Sequence, residues 1–87
     1  MRVLKVVYDN KTSFIVDIVN SIKGNYLVDF YSLNKRKEIK YAKEIQTELG
    51  TTKLPLIAFL DENFELIDAI WSENNPDWKN EILNKLQ

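Results

Sequence analysis

Glu48-Leu49-Gly50-Thr51-Thr52-Lys53-Leu54-Pro55-Leu56-Ile57-Ala58-Phe59-Leu60-Asp61-Glu62-Asn63 is the stretch on which the reading of this chain turns. Leu56–Leu60 is a nearly continuous apolar run. It is too short for a helix and suits a strand covered on both faces. Upstream, Gly50 follows an amphipathic stretch at the left-handed position that ends helices. Downstream, Asp61-Glu62-Asn63 is turn chemistry, because Asp and Asn side chains bond their own backbone and Asn tolerates positive φ. Pro55 stands directly before the strand and has no N–H for a ladder. Two placements stay open on the residues alone: a trans proline as the first strand residue, or a cis X–Pro bond in a tight turn.

Working outward, Ile39, Ala42, Ile45 and Leu49 keep a 3.6-residue period, with Asn34 as the expected N-cap of a helix over 34–49. Before it, Tyr26–Tyr31 reads as a strand. Phe14, Ile15, Ile18, Val19 and Ile22 form one helical stripe. Thr12 or Ser13 can cap it, while Lys23 in the last turn and Gly24 beyond it mark the end, so a helix over about 12–23 is expected. Val3–Tyr8 is a short β-branched run and reads as a buried strand. After the turn at 61–63, the segment 65–71 returns as a strand, with Leu66, Asp68 and Ile70 opposite Ile67, Ala69 and Trp71. Asn75-Pro76 then gives an N-cap and a first-turn proline. Trp78, Ile82, Leu83 and Leu86 supply the stripe of a last helix. The order is β-α-β-α-β-β-α. Two strands joined through a helix run parallel with a right-handed crossover, and the final pair is a hairpin. The expected fold class is α/β, a four-stranded mixed sheet with helices on both faces, in one domain over 1–87.

Composition narrows the chemistry. With 87 residues there is room for one core. Apolar residues make up 45%, which argues against disorder. Twelve Lys and Arg against thirteen Asp and Glu give a net charge of −1, which is not the profile of a globally basic nucleic-acid binder. The sequence has no Cys and no His. Disulfides, thiol nucleophiles, imidazole bases and nearly every zinc or haem site are thereby excluded. No apolar run approaches the length of a membrane span, and the N-terminus lacks a signal-type apolar region, so a cytoplasmic location without membrane contact is expected.

The element order and the stretch 48–63 resemble the minimal thioredoxin/glutaredoxin-like fold across essentially the whole chain. In that resemblance Leu54-Pro55 occupies the cis-proline loop. The family's C-x-x-C or C-x-x-S motif would fall on Asp9-Asn10-Lys11-Thr12-Ser13-Phe14, which contains no sulfur, so the family's redox activity does not carry over. Phe64 also departs, standing where the hairpin often has Gly. A rival register would align Leu27–Ser32 with the strand before the redox loop and place Leu33-Asn34-Lys35-Arg36 at the motif. It leaves too few elements before Pro55 and lacks cysteine as well.

The resemblance implies a groove that holds an extended peptide or glutathione through main-chain bonds beside the proline. Its matching residues are Thr12 and Ser13, then Thr52, Lys53, Leu54 and Pro55, then Trp71 and Ser72. Helix N–H groups at Thr12 and Ser13 could receive a carboxylate, and Trp71 could anchor a partner or pack against Trp78 or the last helix. A second candidate is a basic patch of Lys35, Arg36, Lys37, Lys40 and Lys43 on the second helix, opposed by Glu38 and Glu44. Three cations there face the wrong end of the helix dipole. Acidic residues gather later, at Asp61, Glu62, Glu65, Asp68, Glu73, Asp77 and Glu81, and such asymmetry could steer a partner or orient an assembly. Asp61-x-Asn63-x-Glu65 resembles the start of a calcium loop but lacks its glycine and distal Glu, so a hairpin turn explains it better. Asp29 within an apolar strand would be a general acid or base if buried. The expectation is a non-catalytic protein-binding or assembly module, with no enzyme activity, cofactor or metal. Its partner is another protein or a second copy. Binding of a glutathione-like or other anionic small molecule is the alternative, and a nucleic-acid accessory role ranks below both.

Overall fold

Aliphatic and β-branched residues put Val3–Tyr8 (β1) and Leu56–Leu60 (β3) at the centre of a four-stranded sheet, with Leu27–Ser32 (β2) at the edge beside β1 and Leu66–Trp71 (β4) at the edge beside β3. The remaining elements are the helices α1 (Phe14–Ile22), α2 (Ile39–Leu49) and α3 (Trp78–Leu86). These come from a computed structural model that describes residues 2–22, 24–72 and 76–86. β1 runs parallel to β2 and antiparallel to β3, and β3 runs antiparallel to β4. The sheet is therefore mixed, with the element order read from the sequence.

The two faces bury different sets. Leu4, Val6, Tyr8, Ile57, Phe59 and Ile70 meet Ile15 and Val19 of α1 and Ile82 of α3. On the other face Val7 and Leu56 meet Ala42 and Ile45 of α2, while Val3, Ala58 and Leu60 form a smaller group beside Leu49. Because β3 lies between neighbours and is covered on both sides, all five of its residues are buried and no polar alternation survives.

Several helix starts differ from expectation. α2 begins at Ile39, not after Asn34. The Asn34 carboxamide accepts the Asn10 N–H at 2.8 Å instead of capping a helix, and Glu38 reaches back to the Ser32 N–H at 2.8 Å. Lys35, Arg36 and Lys37 consequently lie in a turn before α2 and do not load the first turn of its dipole. α1 begins at Phe14, because Thr12 bonds back to Asp9. At the other end of α2, Gly50 adopts φ 69, and the Gly50 and Thr51 N–H groups close onto Thr47 and Gln46 carbonyls. α3 begins at Trp78, two residues beyond Pro76. The expected cap Asn75 and last-turn cation Lys23 lie outside the described residues, as does Glu73 of the acidic set.

One residue of β4 has no partner in the ladder. Phe59 pairs with Asp68, but Leu60 pairs with Leu66, so Ile67 bulges. Leu66 thereby shares the α2 face with Ala69 and Trp71, and the expected grouping of Leu66 with Asp68 and Ile70 fails at this point. Before the bulge, Asp61 closes the hairpin by accepting the Asn63 and Glu65 N–H groups at 2.8 and 3.0 Å. Phe64 takes a left-handed φ of 62 in that turn, which costs on the order of 1 kcal/mol for a bulky residue. Among the described residues no helix is long and apolar enough to cross a membrane.

Lys85 of α3 forms an ion pair with Asp68 of β4, which ties the last helix to the edge strand. The hydrogen bond from Lys85 holds the Asp68 carboxyl below its ordinary value, against partial burial that acts the other way. A depressed folded pKa contributes stability above the unfolded carboxylate pKa, and that contribution disappears as pH falls through the folded value. The pair is half exposed, so Asp68→Asn is expected to cost about 0.5 kcal/mol at pH 7. The difference from wild type should vanish in acid. Urea midpoints of both proteins, measured from neutral pH to below 3, check this; a gap that persists in acid contradicts it.

Candidate functional site

Strand directions bring four loops to one end of the sheet. β1 and β2 finish there, β3 starts there, and β4 returns there, with Val7 in register with Leu56 and Leu56 with Trp71. The turn 9–13, the turn 33–38, the loop 51–55 and the pair Trp71-Ser72 are therefore neighbours in the fold.

Within this end, Leu54, Pro55, Trp71 and Ser72 are brought directly together. The Leu54–Pro55 peptide is cis. Pro55 is buried, and Leu54 and Trp71 both pack beside Val7, Ala42, Ile45 and Leu56 on the α2 face. The Ser72 hydroxyl donates to the Leu54 carbonyl at 3.3 Å. Among the described residues no acceptor meets the Leu54 N–H. Thr52 and Lys53 are exposed, and the Lys53 N–H is held by the Thr51 hydroxyl at 3.1 Å. Trp71 does not pack against Trp78: the second tryptophan lies on the other face, 6.1 Å from the Phe14 ring.

The Thr12 and Ser13 hydroxyls are committed locally. The Asp9 carboxylate accepts the N–H groups of Lys11 and Thr12 at 3.0 and 2.9 Å, and the Thr12 hydroxyl at 2.9 Å. The Asp9 N–H in turn donates to the Thr12 oxygen at 2.9 Å. Ser13 bonds back to the Asn10 carbonyl at 3.4 Å. The start of α1 thus carries its own anion. Like-charge repulsion and lost donors both oppose a second carboxylate at the Lys11 and Thr12 amides.

Solved structures superpose on this arrangement of elements, among them the following two. A thioredoxin from Thermus thermophilus superposes with a TM-score of 0.60 at 10% identity, covering 98% of this chain and 70% of its own. The fold is thioredoxin-like. A DsbH oxidoreductase superposes with a TM-score of 0.55 at 8% identity, covering 98% of this chain and 72% of its own. No protein-family model matches the sequence, and no curated protein does.

On this thioredoxin-like scaffold the cysteine-free turn 9–13 sits at the start of α1, and the cis-proline loop faces it from β3. The basic residues divide: Lys35–Lys37 stand in the turn at the same end of the sheet, while Lys40 and Lys43 lie exposed on α2. Lys35 is 4.0 Å from Glu38. Asp29 is exposed, with Lys5 as its register partner on β1, which removes the buried-acid reading. Nearby, burial pushes the Tyr31 phenol above its ordinary pKa and Asp29 adds to the effect, so Tyr31 is no base at neutral pH. Among the described residues no three His, Cys, Asp or Glu gather to hold a metal ion.

The structure adds a polar cluster that spacing did not suggest. Arg2, Tyr26, Phe59, Ile67, Asp68 and Lys85 line a cavity of 90 Å³. The Tyr26 hydroxyl donates to the Lys85 carbonyl at 3.1 Å, and the Lys85 ammonium lies 5.8 Å from the Phe59 ring centre. Such a volume is well below the roughly 300 Å³ of small-molecule sites, so the cluster reads as a clasp for α3.

Proposed function

We propose that this chain is a non-catalytic thioredoxin-like module that binds an extended segment of another protein in a cytoplasmic setting. One observation carries the reading: beside the cis-proline the Leu54 N–H faces no acceptor within the described fold, while at the neighbouring helix start the Asp9 carboxylate takes the Lys11 and Thr12 N–H groups. An extended partner strand can pair with a free main-chain donor of this kind. A small anionic ligand at the start of α1 would meet the Asp9 carboxylate, which already holds the Lys11 and Thr12 amides. With no Cys in the sequence, the chain has no thiol through which to exchange a disulfide.

The test is an amide-resolved titration with extended peptides selected from a random linear library. The Leu54 amide is expected to shift most, with Lys53→Glu, on an exposed residue, altering which peptides bind. Ser72 competes for the Leu54 carbonyl, so Ser72→Ala is expected to tighten binding about 2–10-fold, the worth of one hydrogen bond. Saturable glutathione shifts at Ser13 and Leu54, or peptides that map elsewhere, would replace this reading. Salt-sensitive oligonucleotide binding abolished by charge reversal at Lys35, Arg36 and Lys37 would point instead to the nucleic-acid role.

A further inference from the structure

The β3–β4 hairpin exposes an aromatic residue where the backbone disfavours one. Phe64, at φ 62, keeps 67% of its surface exposed. A bulky side chain rarely adopts this conformation, whereas glycine does so freely. So exposed a ring recovers little by burial in its own fold. Leu66 and Ile67 beside it are 44% and 55% exposed. Asp61, Glu62 and Glu65 surround this tip, with Arg2 close to the first two as a partial counter-charge. The hairpin is an apolar knuckle with an acidic rim.

The far edge of the same sheet has the complementary character. β2 is the edge opposite β4, and α2 packs over β2 and β1. Tyr41 of α2 is 54% exposed and stacks on Tyr31 of β2 at 5.9 Å. Lys37 and Lys40 precede Tyr41 by four positions and one, and the Glu38 carboxylate turns away to the Ser32 N–H.

We propose that the chain associates head to tail with a second copy of itself. The Phe64 knuckle of one copy seats on the Tyr31–Tyr41 edge of the next, and the hairpin carboxylates face Lys37 and Lys40. Charge complementarity selects this pairing, because two hairpins or two α2 edges would oppose like charges. The two patches are different surfaces, so the contact is heterologous and leaves one of each patch open at the ends. Each patch centres on one or two exposed rings, so the association is expected to be weak and concentration-dependent. It deepens the protein-contact reading, yet the Phe64 knuckle stands at the end of β3 away from the Leu54–Pro55 loop and neither patch uses a groove residue, so the Phe64 variant tests it apart from the groove.

Sedimentation equilibrium of the full chain between about 10 μM and about 1 mM tests it. At low salt the average mass is expected to rise above the 10.3 kDa monomer and to fall back in about 0.5 M salt. Phe64→Gly alone, and Lys37→Glu with Lys40→Glu in one chain, are each expected to remain monomeric. Mixing the two variants restores a one-to-one complex, because each keeps the surface the other has lost. A monomer throughout the range overturns the inference, and so does a dimer of wild type that the mixed variants fail to reproduce. Phe64→Gly relieves the left-handed turn and should melt no lower than wild type, so unfolding cannot account for its lost association. Peptide binding at the groove should be unchanged in this variant, which separates failure of this contact from failure of the groove.

Discussion

Ile57→Ala is expected to remove about 3 kcal/mol of stability, the largest single loss foreseen for this chain. Ile57 is fully buried as the second residue of β3, with Val6 and Ile70 as its register partners on the two flanking strands. α1 and α3 close over it through Ile15, Val19 and Ile82, so the surroundings have no solvent side into which to relax. At roughly 0.05–0.15 kcal/mol per residue, a chain of 87 residues has about 4–13 kcal/mol in all. The variant therefore loses a large fraction of its margin. Urea unfolding should show the midpoint falling with an unchanged slope, and Ile57→Val should cost only about 1 kcal/mol. Leu66→Ala, at a half-exposed position beyond the bulge, should cost far less. Equal losses at Ile57 and Leu66 would contradict the two-faced core.

Apolar continuity made β3 readable from the sequence, because a strand buried on both faces reads as an unbroken apolar run, and β1 follows the same pattern apart from the half-buried Lys5. The glycine at 50 was readable for a similar reason, since few residues tolerate its φ. The errors occur where a polar side chain had a choice of partner. Asn34 has the chemistry of a helix cap, but its carboxamide is drawn to the Asn10 N–H, 24 positions away, and the helix starts later. Strict alternation along β4 misplaced Leu66, because a bulge changes parity without leaving a mark in the hydrophobic pattern. The two tryptophans likewise cannot be assigned to opposite faces until the sheet order is known.

The site was legible at Leu54-Pro55, where a residue without an N–H stands at the mouth of a central strand. At the start of α1 the local bonding went unread. Asp9 and Thr12 are three apart, the spacing at which an acid and a hydroxyl close a turn on each other, and that pattern could have shown that Thr12 was already engaged. The Ser72 hydroxyl on the Leu54 carbonyl joins positions 18 apart through strand pairing. The cluster of Arg2, Tyr26, Asp68 and Lys85 spans nearly the whole chain. Neither contact is recoverable from local spacing.

Asp9→Ala is the change that separates the two readings of the site. Its carboxylate accepts the Lys11 and Thr12 N–H groups and the Thr12 hydroxyl, so removal leaves the Lys11 N–H without its acceptor and Thr12 with only the Asp9 carbonyl, 3.1 Å from its N–H. A loss of about 1–2 kcal/mol is expected, similar to that of an N-cap, and Asp9→Asn should recover much of it because the carboxamide oxygen can still accept. Alanine also removes the negative charge from those amides. Inorganic phosphate should then shift the Lys11 and Thr12 resonances of Asp9→Ala at millimolar concentration, and leave those of wild type in place. Peptide binding through Leu54 should persist in the variant once the temperature is lowered to keep it folded, since that donor belongs to a different loop. Wild-type amides that respond to phosphate as strongly as the variant's would show that Asp9 does not occupy the helix start, and the case for an anionic small-molecule ligand would then outweigh the case for an extended protein segment.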